Sequence, residues 1–419
     1  MRRRCLVAAC ALLVIHAQAR PAPMQDSQLP QGPPSIPSLR VESDDHACTT
    51  PYAFGRAIGV RFAQEVATRV SKSRDLAALR TCMAEGGERA AILQEMWREN
   101  EQTFPRFAAE VNGTADGAGV SRDDLVLLNL RKELRYVCAS YMKDIPHVTH
   151  CSDQLVAPLD VQMPRVVGHN EDGACEDAGL LYWVDAPVGC GGGDITGNDD
   201  GARFAAITYA GELPSAAFGL NSYGVAVTFN ALSPLRLSPM SEAPLARNLV
   251  SRASLVSRSV DDAIKVLSMG RQAVGHNAQV FAWRDPAGVI TSVEIGPASY
   301  GSSVLRMHDR GGASGSGVAS LSFHANAYLR LPVPEGPQPS SVHRLRRARA
   351  LWQSGTLRDA TVARGGNATR LMAGVWAVLL DHADVAYPIY QSGEGGHDTC
   401  TLVQAVFALG VSPYVRWTP

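Results

Sequence analysis

Thr149-His150-Cys151-Ser152-Asp153 is the stretch at which the patterning of the chain changes. Before it, residues 52–141 are rich in Ala, Leu, Arg and Glu, and their apolar positions recur at the three- and four-residue spacing of helices. After it, short apolar runs such as Val225 to Phe229 alternate with Gly, Asn and Pro, which is typical of strands and turns. This order predicts an α+β fold in which a helical N-terminal prosegment lies beside a domain of mixed strands and helices.

Helical patterning also returns in the second half of the chain. The predicted helices lie near residues 243–251, 261–269, 341–352 and 369–381, and a strand near 401–409 follows them. The helix at 341–352 is predicted to be amphipathic, with a solvated basic face formed by Arg344, Arg346, Arg347 and Arg349.

The N-terminal segment has the pattern of a secretory signal peptide. Three arginines precede an apolar run from Cys5 to Ile15, and Ala17-Gln18-Ala19 fits a cleavage site. That run is shorter than the roughly 20 residues that span a bilayer, so we expect a secreted protein without a stable membrane span. The predicted divisions are a signal peptide at 1–19, a disordered Pro-rich leader at 20–47, a helical α-chain or prosegment at 48–150 and a catalytic β-chain at 151–419.

Charge excludes one class of partner. The chain has 39 basic residues (Lys and Arg) and 40 acidic residues (Asp and Glu), which gives a formal net charge of -1. Nucleic acids and anionic membrane surfaces attract proteins with a basic excess, so no nucleic-acid partner is expected.

The number of cysteines predicts one thiol without a disulfide partner. Nine are present, and loss of Cys5 and Cys10 with the signal peptide leaves seven, an odd number. In an oxidising compartment cysteines pair, so one thiol remains for chemistry or is a buried free cysteine. The other six allow fifteen pairings, and the sequence does not choose among them. Sequons at Asn112 and Asn367 agree with export and predict a glycoprotein.

Cys151 has two interpretations. A cysteine that begins a new chain carries a free α-amine beside its own thiol, and that amine can act as the general base for the thiol. One residue then supplies both the nucleophile and the base. From the residues alone, an ordinary disulfide cysteine is the simpler interpretation, because nothing in the spacing forces a chain end here.

The polar turn His169-Asn170-Glu171-Asp172 follows a predicted strand. Turns are commonly rich in such residues, which bond their own backbone. The functional interpretation is that Asp172 orients the new α-amine, as a carboxylate orients the base in a catalytic triad. No second cluster of His or Cys has the spacing of metal ligands, so neither a metal nor another cofactor is predicted.

Two asparagines end strand-like runs. Asn230 closes an apolar strand, where an unpaired amide would cost free energy, so we expect a protein partner or a substrate oxygen. Such an amide could stabilise the oxyanion of acyl transfer, and Asn326 is a second candidate. His324, two residues before Asn326, is more simply a structural histidine than a base.

Together, several segments resemble the acyl-coenzyme A:6-aminopenicillanic acid acyltransferase family, the peptidase C45 group that includes β-alanyl-dopamine and carcinine hydrolases. The resemblance runs from about Ala53 to the end of the chain. It is most specific at 150–153, 168–172, 211–213, 219–232, 324–326, 341–347 and 399–407.

The resemblance implies an αββα sandwich of the N-terminal-nucleophile type, cut between His150 and Cys151 into α and β chains that stay associated. It implies that Cys151 is the nucleophile, that Asp172 orients its amine, and that Asn230 and Asn326 are oxyanion or substrate donors. Substrate contacts are predicted for a further set: His169, Asn170, Glu171, His324 and His397. The implied activity is amide hydrolysis or acyl transfer on a small N-acyl amine or amino-acid amide through a cysteine acyl-thioester, with an acyl-coenzyme A as a candidate donor.

Two departures from the family pattern support an alternative function. His150 stands where well-known members have Gly, and no arginine is evident near the penultimate strand, where the chain reads Gly396-His397-Asp398. Loss of that cation would remove recognition of an anionic substrate group. The alternative is a catalytically silent, secreted binding or scaffold protein that keeps the fold.

Overall fold

The computed structural model describes residues 36–145, 151–158, 160, 162–190, 201–238, 244–307, 320–354, 367–394, 398–411 and 413–417. The predicted signal peptide lies outside these residues, as do His150 and His397.

The first half of the described chain is helical, as predicted. Its helices are α1 (Pro51–Arg61), α2 (Ala63–Lys72), α3 (Arg74–Ala84), α4 (Gly87–Thr103), α5 (Pro105–Ala118), α6 (Arg122–Asn129), α7 (Arg131–Val137) and α8 (Ala139–Met142). Hydroxyl side chains of Thr50, Ser73 and Ser121 cap α1, α3 and α6 by accepting bonds from backbone N–H groups.

Helices α1 and α5 pack at very short range because glycines face each other. A Cβ added at Gly55 would lie 1.9 Å from the carbonyl oxygen of Glu110, and one at Gly113 would lie 2.0 Å from that of Tyr52. No side chain fits between the two backbones at these positions.

Two sheets follow. The large sheet has eight strands in the order β1-β4-β5-β6-β7-β8-β9-β10, and the small sheet has five in the order β11-β2-β3-β12-β13. The bounds are β1 (Ser38–Arg40), β2 (Ser152–Ala157), β3 (Val166–Ala174), β4 (Leu181–Pro187), β5 (Arg203–Tyr209), β6 (Phe218–Asn221), β7 (Val225–Ala231), β8 (His276–Ala282), β9 (Ile290–Ile295), β10 (Ser302–Met307), β11 (Ser320–His324), β12 (Thr399–Ala408) and β13 (Tyr414–Trp417).

Apolar faces of the two sheets pack against each other and form the central core, with Leu155 and Val167 from the small sheet meeting Trp183 and Phe218 from the large one. A second core lies between the large sheet and the helices of the first half together with α9 (Arg247–Ser254) and α10 (Val260–Leu267). A third lies between the small sheet and α11 (Pro339–Gln353) and α12 (Ala368–Leu379). The layers are therefore αββα, and the predicted fold class is confirmed.

The predicted leader extends too far. Ser38–Arg40 forms β1, which pairs in parallel with β4, and both Ile36 and Val41 are buried. The Pro and Ser content of this segment hides two apolar anchors, and the edge of the large sheet offers free hydrogen-bonding groups to pair with. The prediction of disorder is thus wrong for residues 36–47, while the earlier part of the leader lies outside the described residues.

Six of the seven cysteines that follow the predicted signal peptide pair, as Cys48–Cys190, Cys82–Cys138 and Cys175–Cys400. The seventh, Cys151, is free and buried. The parity argument is therefore confirmed, and the disulfide interpretation of Cys151 is wrong. Within the described residues, no helix has the length and apolar content needed to cross a membrane.

Gly55→Ala tests the contact between α1 and α5. The new methyl group would collide with the backbone of α5, so we expect the free energy of unfolding to fall by about 2 kcal/mol, measured by urea denaturation. Gly270→Ala is the control, because no atom lies within 4 Å of its added Cβ. That variant should change stability by less than about 0.5 kcal/mol. Equal stabilities for the two variants would contradict the proposed packing.

Candidate active site

Cys151 lies directly before β2, at the end of the small sheet, and only 6% of it is exposed. Its Sγ is 3.6 Å from the carbonyl oxygen of Asp172, to which it donates. Burial, together with the nearby charges of Glu171 and Asp172, raises the pKa of the Cys151 thiol well above its ordinary value. In the uncut chain the thiol therefore stays protonated and needs a base to become a nucleophile.

A pocket opens beside this thiol. Both sheets and the helices of the first half contribute to its lining, which includes Lys132, Cys151, Glu171, Asp172, Tyr209, Glu212 and Arg247. The predicted prosegment is thus part of the pocket wall.

A buried carboxylate fixes the strand that follows Cys151. Asp153 is completely buried between the sheets and accepts hydrogen bonds from Thr228 (2.9 Å), Asn230 (2.7 Å) and Gln279 (3.1 Å) of the large sheet. Its other contact is His169 Nδ1 on β3, at 2.8 Å. These four contacts bind β2 to its neighbour β3 in the small sheet and to the large sheet, two residues from the thiol. Sequence analysis missed Asp153 as a separate site element.

The hydrogen bonds that begin at Asp153 continue through His169 to Glu171 and Tyr209. His169 Nε2 lies 3.1 Å from Glu171, and Tyr209 donates to the other oxygen of Glu171 at 2.6 Å. Burial opposes a charge on the imidazole, but Asp153 and Glu171 outweigh it and raise the pKa of His169 to about 10. His169 is therefore a protonated bridge between two carboxylates.

Asp172 lies on β3 with 3% of its surface exposed. Burial raises the pKa of its carboxyl to about 7, and Thr401 and Arg344 oppose that rise. Within the described part of the chain, neither carboxylate oxygen has a hydrogen bond of normal geometry. A cation placed next to Asp172 would hold it ionised, and a newly formed α-amine at Cys151 is such a cation.

The position of Arg344 contradicts the prediction that it belongs to a solvated basic face of this helix, α11. Its side chain is completely buried and donates from Nη1 to the carbonyl oxygen of Cys151 (2.9 Å) and to Ser152 Oγ (2.8 Å). Nη2 donates to Asn326 Oδ1 at 2.8 Å. On the same helix Arg346 and Arg349 are exposed, as predicted. Ser341, Arg344 and Ala348 share one buried helix face, and that spacing was the signal available in the sequence.

The two predicted asparagine donors differ in whether an amide hydrogen remains free to bond to another acceptor. Asn230 Nδ2 donates to Asp153 and, at 3.4 Å, to the carbonyl oxygen of His324, so its amide hydrogens are already used. Asn326 Nδ2 donates to Ala231 O at 2.9 Å, which uses one of its two hydrogens. As oriented here, Asn326 keeps a hydrogen for another acceptor, whereas Asn230 supports Asp153.

Three of the residues predicted to contact substrate instead use their side chains in hydrogen bonds within the protein. Both ring nitrogens of His169 are engaged as described, and Asn170 donates to Leu379 O and Ile389 O on the side of α12. His324 contacts Glu294 (2.9 Å) and Ala325 O (2.7 Å), which is the structural role that its isolation in the sequence favoured. Asn170 does not line the pocket, and among the described residues of this set Glu171 is the one that does.

Sequence analysis also missed two cations of the pocket wall, Lys132 on α7 and Arg247 on α9. Neither belongs to a recognisable motif, and both reach the pocket only through helix packing. The described residues contain no group of three or more His, Cys, Asp or Glu side chains placed to hold a metal ion.

The model of the acyl-coenzyme A:6-aminopenicillanic acid acyl-transferase family matches residues 161–360. Over this segment the chain is similar to that family. A curated relative, the β-alanyl-dopamine/carcinine hydrolase of Drosophila melanogaster, is 26% identical over 251 residues. The match covers 59% of this chain and 63% of that protein, so the chain spans less than two thirds of the length of its relative.

Two solved structures are similar in part. The Caenorhabditis elegans ortholog of N-acylethanolamine-hydrolyzing acid amidase has 13% identity and a TM-score of 0.39, covering 64% of this chain and 100% of that one. Penicillin V acylase from Agrobacterium tumefaciens has 13% identity and a TM-score of 0.36, covering 64% and 84%. Both TM-scores are low, so the fold assignment rests on the layers of this chain described above.

His169→Gln tests the charged bridge. The variant leaves Asp153 and Glu171 without their shared cation, and we expect a loss of about 3 kcal/mol in unfolding free energy at pH 6, measured with urea. Because the folded pKa of His169 is raised to about 10 from 6.5, this stabilisation is complete below pH 6.5 and falls as the pH rises towards 10. His343→Gln, at a partly exposed pair with Asp384, is the control. A loss that grows with pH would contradict the assignment.

Arg344→Met tests the contact with the Cys151 carbonyl. It leaves that carbonyl, Ser152 and Asn326 without their buried donor, and we expect unfolding to become easier by about 3 kcal/mol. Arg347→Met is the matched control on the same helix, since its pair with Asp381 is part-exposed, and it should cost less than about 1 kcal/mol. Equal losses in the two variants would show that Arg344 has no special position.

Proposed function

We propose that this chain is a secreted, self-cleaving N-terminal-nucleophile enzyme that hydrolyses amides or transfers their acyl group, with Cys151 as the nucleophile. One observation carries the proposal. Cys151, the one free cysteine among the described residues, precedes a strand of the small sheet at a pocket, beside a buried carboxylate whose oxygens have no hydrogen bond of normal geometry.

Self-cleavage would take place at the peptide bond between His150 and Cys151. The Cys151 thiol attacks the carbonyl carbon of His150, the bond from that carbon to the Cys151 nitrogen breaks, and the nitrogen takes the thiol proton to become an amine. Water then opens the thioester, which leaves a carboxylate on His150 and a free thiol on Cys151. The Arg344 contact with the Cys151 carbonyl positions the residue for this shift.

Turnover repeats the chemistry on a substrate. The α-amine of Cys151 accepts the thiol proton, the sulfur attacks the substrate carbonyl, and the amine of the substrate leaves with a proton. The acyl-thioester is resolved by water in hydrolysis or by a second amine in transfer. Asp172 would hold the α-amine, and the uncommitted hydrogen of Asn326 makes it the better candidate for the oxyanion.

The proposed substrate is a small N-acyl amine or amino-acid amide. The name of the Drosophila relative, a hydrolase of β-alanyl-dopamine and carcinine, supports this class. The family name supports an acyl-coenzyme A as an acyl donor in the transfer reaction. Three disulfides support export to an oxidising compartment.

The α and β chains would remain joined after the cut. Cys48 belongs to the first and Cys190 to the second, so their disulfide crosses the cleavage site. The helices of the α chain also share an apolar core with the large sheet.

Mass spectrometry and N-terminal sequencing of the purified protein test the proposal. Reduced protein should give two chains, one beginning Cys151-Ser152-Asp153, and unreduced protein should give one species. Cys151→Ala should give a single uncut chain without activity towards acyl amides. A Cys151→Ala protein that is still cut at this bond would exclude the mechanism.

The same experiment also tests the alternative function, a catalytically silent binding protein. That alternative predicts an uncut wild-type chain, and His150→Gly then distinguishes a slow precursor from an inert one. If the bulk of His150 hinders the acyl shift, the glycine variant should be cut. If it also stays whole and turns over no amide, the binding function is favoured.

A further inference from the structure

Arg247 is a buried arginine whose guanidinium has no hydrogen bond or ion pair within the described part of the chain. It begins α9, is 6% exposed, and lines the pocket that contains Cys151. Its backbone N–H donates to Glu133 Oε1 at 2.9 Å, which fixes the main chain. Among the described residues, no atom accepts a hydrogen bond from its guanidinium, and Nε is fully shielded from solvent.

The other arginines of the pocket are paired. Arg69 contacts Asp177 and Glu212, and Arg131 contacts Asp75 and Glu212. Two further arginines pair in the same way, Arg135 with Asp75 and Arg74 with Glu176. Burying an unpaired guanidinium costs more free energy than burying a paired one, so the environment of Arg247 differs from that of the neighbouring arginines.

Lys132 is a second cation of this wall with no ion pair or hydrogen bond to its ammonium among the described residues. Burial, reinforced by Arg131 and Arg247, lowers the pKa of Lys132 to about 7. The acidic residues that could answer these cations are already engaged: Glu171 by His169 and Tyr209, and Glu212 by Arg69, Arg131 and Asn248. Glu133 also attracts both residues electrostatically, but among the described residues no carboxylate accepts a hydrogen bond from either side chain, so an arriving anion would meet two basic groups with free donors.

We propose that Arg247 and Lys132 form an anion subsite that binds a carboxylate of the substrate beside Cys151. This inference rests on the proposed function and narrows its substrate class to acyl amides that carry a carboxylate. A guanidinium fork matches a carboxylate in geometry, and a lysine adds a point charge. The cation that is absent near the penultimate strand is thus supplied by α7 and α9.

The carboxylate has two candidate sources in the substrate. It stands on the amine side in an N-acyl amino acid, or on the acyl side in the half-amide of a dicarboxylic acid. The pair N-butanoylglycine and N-butanoylglycinamide probes the first source, since the two differ only in the charge of the leaving amine. The pair glutaryl p-nitroanilide and pentanoyl p-nitroanilide probes the second.

The processed protein should favour the carboxylate member of one pair by at least about tenfold in kcat/KM, because a hydrogen-bonded charge contributes that much or more. Arg247→Met and Lys132→Met should bring this ratio towards one, and Arg247→Lys should retain part of it. Arg98→Met is the control, since Arg98 lies on α4, is half exposed and does not line the pocket. It should keep the wild-type ratio.

A ratio of one or less in both pairs overturns the subsite even if the enzyme is active, and so does an unchanged ratio in a folded Arg247→Met. Either of these outcomes would fit a different role for Arg247 and Lys132, which is to bind the His150 carboxylate that self-cleavage releases. If neither pair is turned over, the proposed function fails, and the rate of Cys151 alkylation by iodoacetamide decides the subsite. If N-butanoylglycine slows the alkylation, N-butanoylglycinamide does not, and Arg247→Met abolishes the effect, the subsite is supported. Equal slowing by the two compounds, or slowing by neither, overturns it.

Discussion

The carboxylate of Asp153 is the constraint on which the rest of the site depends. Two apolar sheets face each other, and a charge buried between them is tolerated only when its lone pairs are filled. His169 fills one position from the small sheet, and Thr228, Asn230 and Gln279 fill the others from the large sheet. A shift of β2 by one residue would bring a different face inwards and leave that charge unpaired. The register that satisfies Asp153 therefore also places Cys151 at the pocket.

Arg344 completes this placement from the opposite layer. It approaches β2 from α11 and holds the carbonyl of Cys151, while Asp153 holds the same strand from between the sheets. The first residues of β2 are thus fixed on both faces, and among the described residues the hydrogen bond of the thiol is to the Asp172 carbonyl at 3.6 Å. Rigid surroundings with an uncommitted thiol are what a positioned nucleophile requires.

The helical half is a structural part of the site. Its helices bury one face of the large sheet, and α7 supplies the pocket with Arg131 and Lys132. The disulfide between Cys48 and Cys190 makes the association covalent. Describing residues 48–150 as a prosegment therefore understates their role, because removing them would expose apolar surface and open the pocket wall.

Local patterning and cysteine parity determined a good deal by themselves: the helical first half, the α+β class and the odd thiol, whereas the roles predicted for Cys151 and Asp172 came from the family resemblance. Periodicity and counting carry that information because both are properties of neighbouring residues. The disulfide pairs, the buried position of Arg344, the engagement of Asn230 by Asp153 and the unpaired state of Arg247 were decided only by the tertiary structure. Each depends on which distant groups meet in a buried, low-dielectric interior, and a partner far along the chain leaves no local mark.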